Sequence, residues 1–168
     1  GTVTEIYDYL RLLYARIGRV YCYGCCREIS SQTVQHIVDQ VQSIPVGKKI
    51  MILSPIARGR KGEFKKEILD MKRKGFVRVR IDGEVRSLEE EIVLDKKFKH
   101  TLEIVVDRLV IKKEMGKRLA DSVETALNHG EGSIVVSIIE EEELLFSEKF
   151  ACSYCNISYP ELEPRLFS

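Results

Sequence analysis

Apolar positions along this chain alternate between two periods, one of three to four residues and one of two. Ile6, Leu10, Leu13 and Ile17 fall at helical spacing, with Gly18 as a stop. A second helix is expected after Ser31 as its cap, with Val34, Ile37, Val38 and Val41 on its apolar face and Pro45 and Gly47 ending it. Lys49–Leu53 reads as a strand, and Pro55–Gly62 as a basic loop. A third helix carries Phe64, Ile68 and Met71, and Gly75 fits its C-terminal cap. Phe76–Asp82 alternates: Val77, Val79 and Ile81 face inward, and Arg78, Arg80 and Asp82 form a polar, mainly basic outer face. Asp82-Gly83 is a hairpin turn, and residues 89–99 read as irregular.

Leu102–Ile111 is the longest strand candidate in this reading. Arg108 shares the parity of Ile104 and Val106, so an unbroken strand would bury it, and a bulge is expected instead. Gly116–His129 reads as a helix, with Leu119, Val123, Ala126 and Leu127 inward and Gly130 as its stop. Ile134–Ile139 suggests a strand covered on both faces, and Leu144–Phe150 returns after an acidic turn. The expected fold is mixed α/β (α+β): a small, mostly antiparallel sheet with packed helices.

Composition narrows the class. The chain has 168 residues, of which 44% are hydrophobic and 32% charged. That suits a real core under a solvated surface. The net charge of +1 gives no global field, so any electrostatic function must be local. No apolar stretch approaches the ~20 residues of a membrane helix, and there is no signal-peptide core, so a cytoplasmic setting without membrane partners is expected.

Chemistry concentrates in two cysteine pairs at opposite ends of the chain. Cys22 and Cys25 form one, followed at once by Cys26; Cys152 and Cys155 form the other. Two-residue spacing lets both thiolates of a pair reach one tetrahedral ion, and a structural zinc site closes with four ligands. One structural zinc held by Cys22, Cys25, Cys152 and Cys155 is therefore expected, against the alternative of independently buried cysteines. Cys26 is surplus: it could compete with Cys25 or simply pack.

Arg58, Arg60, Lys61 and Lys65 are candidate contacts to nucleic-acid phosphates. Gly59-Arg60-Lys61-Gly62 matches a bare Gly-x-x-Gly, the loop with which KH domains clamp a nucleic-acid backbone, though a solvated glycine loop reads equally well. No Gly-Lys-Ser/Thr closes a Walker A loop. His36, His100 and His129 are scattered and read as surface or capping residues.

Several segments together resemble the UvrA family, the damage-sensing ATPases of bacterial nucleotide excision repair. They include Thr2–Leu13, Gln32-Thr33, Arg58–Glu63, Gly75–Glu84, Lys99-His100-Thr101, Val105–Arg108, Arg118–Ser122, Leu145–Cys152 and Glu161–Ser168. The resemblance covers essentially the whole chain but only part of such a protein. The Walker A loop would precede Gly1, and the ABC signature and Walker B strand would follow Ser168, so this piece itself is expected to hydrolyse nothing. ATP would be a cofactor of the parent only, which the family implies to be a homodimer working on DNA.

The resemblance implies an inserted domain that recruits UvrB, with a zinc knuckle at its base. It divides the chain into 1–30 (flank of the first ATP-binding half and first knuckle), 31–148 (UvrB-binding domain) and 149–168 (second knuckle and return flank). By motif, the family's contacts to UvrB fall on Arg78 and Arg108, with Arg80 and Asp107 as neighbours. Cys25 stands where the family commonly has His, and Cys26 where it has Gly.

Overall fold

The computed structural model describes residues 20–29, 31–149, 151, 152, 155, 157 and 158. The helix read over Thr2–Gly18 and the segment 159–168 lie outside the described residues. The chain divides into two compact units, 32–148 and the pair of flanks 1–31 and 149–168.

The larger unit is an antiparallel sheet with helices on one face. Its elements are α1 (Val34–Gln42), β3 (Lys49–Lys61), α2 (Lys65–Arg73), β4 (Arg78–Ile81), β5 (Glu84–Ser87), β6 (Lys99–Val110), α3 (Gly116–His129), β7 (Ser133–Ile138) and β8 (Glu143–Ser147). The flanking unit holds β1 (Val20–Tyr21), β2 (Glu28–Ile29), β9 (Ala151–Cys152) and β10 (Ile157–Ser158). The six-stranded sheet has the order β5-β4-β6-β3-β7-β8. The mixed α/β expectation holds.

Two clusters fill the helix side. Ile37, Val38 and Val41 of α1 and Leu119, Val123, Ala126 and Leu127 of α3 pack on Ile50, Ile52, Leu109, Ile134 and Val136. Phe64, Ile68 and Met71 pack on Val79, Ile81, Leu102 and Ile104. Burial of these side chains, each contributing about 1.5–3 kcal/mol, is the main stabilising term. The domain's two ends are tied together: Gln32 N–H donates to the Ser147 carbonyl at 2.9 Å.

Four local expectations are corrected. Thr33, not Ser31, caps α1, its Oγ1 accepting the His36 N–H at 3.2 Å. Lys49–Leu53 and the expected loop 55–62 are instead one strand of 13 residues. Pro55 is tolerated because it sits at a register shift and beyond Leu53, where pairing with β7 ends. Gly59 and Gly62 therefore lie along or just past a strand, not in a KH-type clamp. Around β4 the predicted exposure is wrong at two positions: Val77, just before the strand, is 56% exposed, while Arg80 within it is buried.

The expected bulge is real. Leu53 pairs with Val105 and Ile52 with Asp107, leaving Val106 as the inserted residue. Asp82-Gly83 makes the hairpin, with φ of 50° and 90° as a type I′ turn needs. Gly130 is required for room rather than backbone freedom: a Cβ there would sit 2.2 Å from the Ser133 carbonyl oxygen.

The sheet also curls. Strands β4 and β8 are separated by three others, about 19 Å in a flat sheet. Yet Arg80 of β4 pairs with Glu143 of β8. The face without helices is thus concave, and it encloses a small third core of Met51, Leu53, Val105 and Val135.

At one end of the sheet, His100 clamps three segments. Its Nδ1 lies 2.7 Å from Asp82 Oδ2 and its Nε2 2.9 Å from the Asp95 carbonyl oxygen. Both partners are acceptors, so only the imidazolium serves both. The Asp82 hydrogen bond, then the Asp95 carbonyl, raise the His100 pKa above its ordinary value. A raised folded pKa means the clamp's contribution is complete below about pH 6.5 and is lost as pH rises through the folded value. Thermal midpoints measured from pH 5.5 to 8.5 should fall over the upper part of that range, and His100→Gln should flatten the profile.

Candidate interaction face and candidate metal centre

The charged residues singled out from the sequence separate into two kinds. Arg80 and Asp107 are spent inside the fold. Arg80 grips Glu103 with Nε at 3.0 Å and Nη2 at 2.8 and 2.9 Å, and its Nη1 donates to Glu143. The Arg80 and Glu103 side chains are only 9% and 7% exposed. Burial opposes the Arg80 charge, but Glu143 and Glu103 more than restore it. Burial pushes the Glu103 carboxyl up, and Arg80 pulls it partly back.

Asp107 turns to the helix side, because the bulge places it with α3. Its carboxylate accepts from Arg118 at 3.0 and 3.2 Å and from Ser122 at 2.8 Å. Burial pushes its pKa up, but these donors more than offset that and hold it below the usual carboxylate range.

Arg78 and Arg108 are the other kind. Both are exposed, and neither guanidinium has an ion-pair partner among the described residues. Pairing of β4 with β6 stops at Val79 and Ile104, and beyond it the strands splay. The resulting groove, about 310 Å³, is lined by Phe76, Val77, Arg78, Val105, Asp107 and Arg108 among others. Arg108 also borders two further grooves, with Val110 and Met115 in one and Lys49 and Ile139 in the other.

Glu103, Glu143, Arg118 and Ser122 were not singled out from the sequence as partners. Glu103 shares its strand parity with Val105, and that is the one local signal of its burial.

The candidate phosphate contacts are scattered in role. Arg58, Arg60 and Lys61 lie on β3, and Lys65 opens α2, paired with Glu63 at 3.1 Å.

In the flanking unit, each cysteine pair belongs to a miniature hairpin. Val20 pairs with Ile29 around the first, and Cys152 with Ile157 around the second. Ligand atoms of Cys22, Cys25, Cys152 and Cys155 all lie within 4.8 Å of one another, and Cys25 Sγ is 3.5 Å from Cys152 Sγ. A tetrahedral ion with four Zn–S bonds of ~2.3 Å needs sulfurs about 3.8 Å apart. The donor set fits it. Backbone N–H groups of Gly24 and Cys155 already donate to Cys22 and Cys152 Sγ at 3.3 and 3.4 Å, as supporting contacts around thiolate ligands do. Hydrogen bonding to Cys25, then burial, push the Cys155 thiol up to about 12. Cys26 is exposed, lies outside the cluster, and has φ of 55°. That left-handed backbone is one glycine adopts freely.

Among the described residues, no helix is long and apolar enough to cross a membrane.

A small α/β domain presenting unpaired arginines, interrupting a cysteine-knuckle unit in the sequence, is the build of a protein-interaction module. Comparison with known proteins places it further: the model described as "UvrA interaction domain" matches residues 32–140. The chain belongs to the UvrA interaction domain family. All of it aligns with UvrABC system protein A of Halalkalibacterium halodurans at 58% identity, covering 18% of that protein. The corresponding proteins of Clostridium perfringens and Bacillus subtilis are 56% and 52% identical, again over 100% of this chain and 18% of theirs. The chain thus spans under a fifth of the length of these relatives.

Breaking the buried pair tests its structural role. Arg80→Met strands the Glu103 carboxylate and should cost about 3–5 kcal/mol in urea unfolding. Arg80→Met combined with Glu103→Leu should recover most of that loss.

Proposed function

We propose that residues 31–148 are the docking domain through which a UvrA-type ATPase recruits UvrB during nucleotide excision repair. The observation that carries this is the division among these charged residues: Arg80 and Asp107 are paired within the fold, while Arg78 and Arg108 are exposed with no ion-pair partner among the described residues. A partner bearing two carboxylates at matching positions would complete them. Arginine suits the task, since its planar fork binds a carboxylate through two parallel hydrogen bonds. Charge matching of this kind speeds encounter and rejects wrong partners. The groove between β4 and β6 supplies apolar contact beside the charges, through Val77 and Val105.

The piece itself binds rather than catalyses. Nucleotide hydrolysis and homodimer formation belong to the parent protein. Arg80 has a supporting role: it fixes the sheet that presents Arg78, and it is not itself offered to UvrB.

We also assign one structural zinc ion to Cys22, Cys25, Cys152 and Cys155. Zinc would supply a closed, redox-inert cross-link between the two stretches of chain on either side of 31–148 in the sequence. The thiolates would lose their protons on binding it.

Two measurements test these readings. Arg78→Glu and Arg108→Glu should each weaken binding to UvrB at least 100-fold in calorimetry while leaving the circular dichroism spectrum unchanged; affinity equal to the parent chain in both would remove the assignment. Elemental analysis should find about one zinc per chain, lost in Cys25→Ser and Cys155→Ser and retained in Cys26→Ser.

A further inference from the structure

The end of the sheet away from Arg108 carries a second charged surface. The register sets Lys61 directly opposite Lys99, and Arg60 opposite His100. Opposed residues point to the same face with Cβ atoms about 5 Å apart, and like charges so placed oppose folding. Among the described residues, neither Lys61 nor Lys99 has an ion-pair partner. The nearby acids are already engaged, Glu63 with Lys65 and Asp82 with His100.

A specific backbone device brings these two lysines together. The β3–β6 register shifts between Ala57 and Arg60, and Gly59 within that step has φ of 54°. Its N–H donates to Thr101 Oγ1 at 3.1 Å. A left-handed glycine in a bulge re-aims the strand that follows. Without the extra residue, Lys61 would point to the opposite face from Lys99.

An aromatic ring is interleaved with the basic residues. Phe98 lies between Lys97 and Lys99 and is 65% exposed, and Lys96 and Lys97 are exposed beside it. Basic side chains that follow a backbone, with a ring on which a base can stack, are the means by which proteins hold single-stranded nucleic acid regardless of sequence.

We propose that Lys61, Lys97, Lys99 and Phe98 form a contact site for single-stranded nucleic acid, the lysines on phosphates and the ring on one unstacked base. The site is separate from the arginine groove and does not rest on the UvrB reading.

The test is fluorescence anisotropy of the chain with a labelled 20-nucleotide single strand, titrated from about 50 to 200 mM salt. Lys61→Gln with Lys99→Gln should weaken binding and reduce the salt slope by about 1.4, two phosphates at 0.7 each. Its thermal midpoint should be unchanged or raised, because a like-charge pair has been removed. Phe98→Ala should weaken binding about tenfold with the salt slope intact, and should not weaken binding of a blunt duplex. All variants should bind UvrB as the parent chain does. The proposal is overturned if the parent chain fails to bind the strand at 50 mM salt, if either variant binds it unchanged, or if the variants lose UvrB instead.

Discussion

One inserted residue, Val106, sets the sidedness of everything that follows it on β6. Before the bulge, Leu102 and Ile104 face the helices; after it, Leu109 and Ile111 do. A strand that alternated without interruption would send Leu109 and Ile111 to the concave face and press Arg108 into the α3 core. Burying that guanidinium without a partner would cost several kcal/mol, and moving two large apolar side chains to solvent would add to it. The same bulge hands Asp107 to Arg118 and Ser122, and the groove in which Arg78 and Arg108 stand lies beyond the last β4–β6 pair.

The Arg80–Glu103–Glu143 group does different work with the same residue types. The inner face of the curled sheet holds a four-residue core, and the register puts the ion pair on that same face. Fully buried ion pairs contribute little net stability, because desolvation offsets attraction. Glu143 is 51% exposed, so part of this group keeps its water. Its importance lies in geometry: it links β4 to β8 across three intervening strands. Alternate residues of β4 therefore have opposite fates, Arg80 as an internal tie and Arg78 as an outward charge.

Much of this was legible locally. The helix Gly116–His129, the Asp82-Gly83 turn and a bulge ahead of Arg108 each follow from a short-range pattern, and the structure has all three. The matched cysteine spacing anticipated a cluster whose halves are far apart in sequence. What escaped was decided at long range. Pro55, Gly59 and Gly62 read as a loop, yet β6 pairs with β3 as far as Lys61 and overrides their local preference. Arg80 read as exposed because its strand alternates, and the acids that bury it lie on β6 and β8. No local signal distinguishes a free arginine from one whose partner arrives from another strand.

Strand β6 then connects the two proposed surfaces. Lys99 begins it and Arg108 lies near its end. Nine residues at 3.3 Å each separate them by about 30 Å when extended, somewhat less with the bulge and twist. At physiological salt the screening length is about 8 Å, so charges at one end scarcely affect those at the other. A protein docked on the arginines and a strand held by the lysines would therefore neither compete for area nor repel or attract one another strongly. Both surfaces would still share one rigid element, whose backbone is paired to β3 through most of its length. Coupling between them would have to come from the geometry of β6 itself, with the bulge at Val106 as the place where the strand's direction is set.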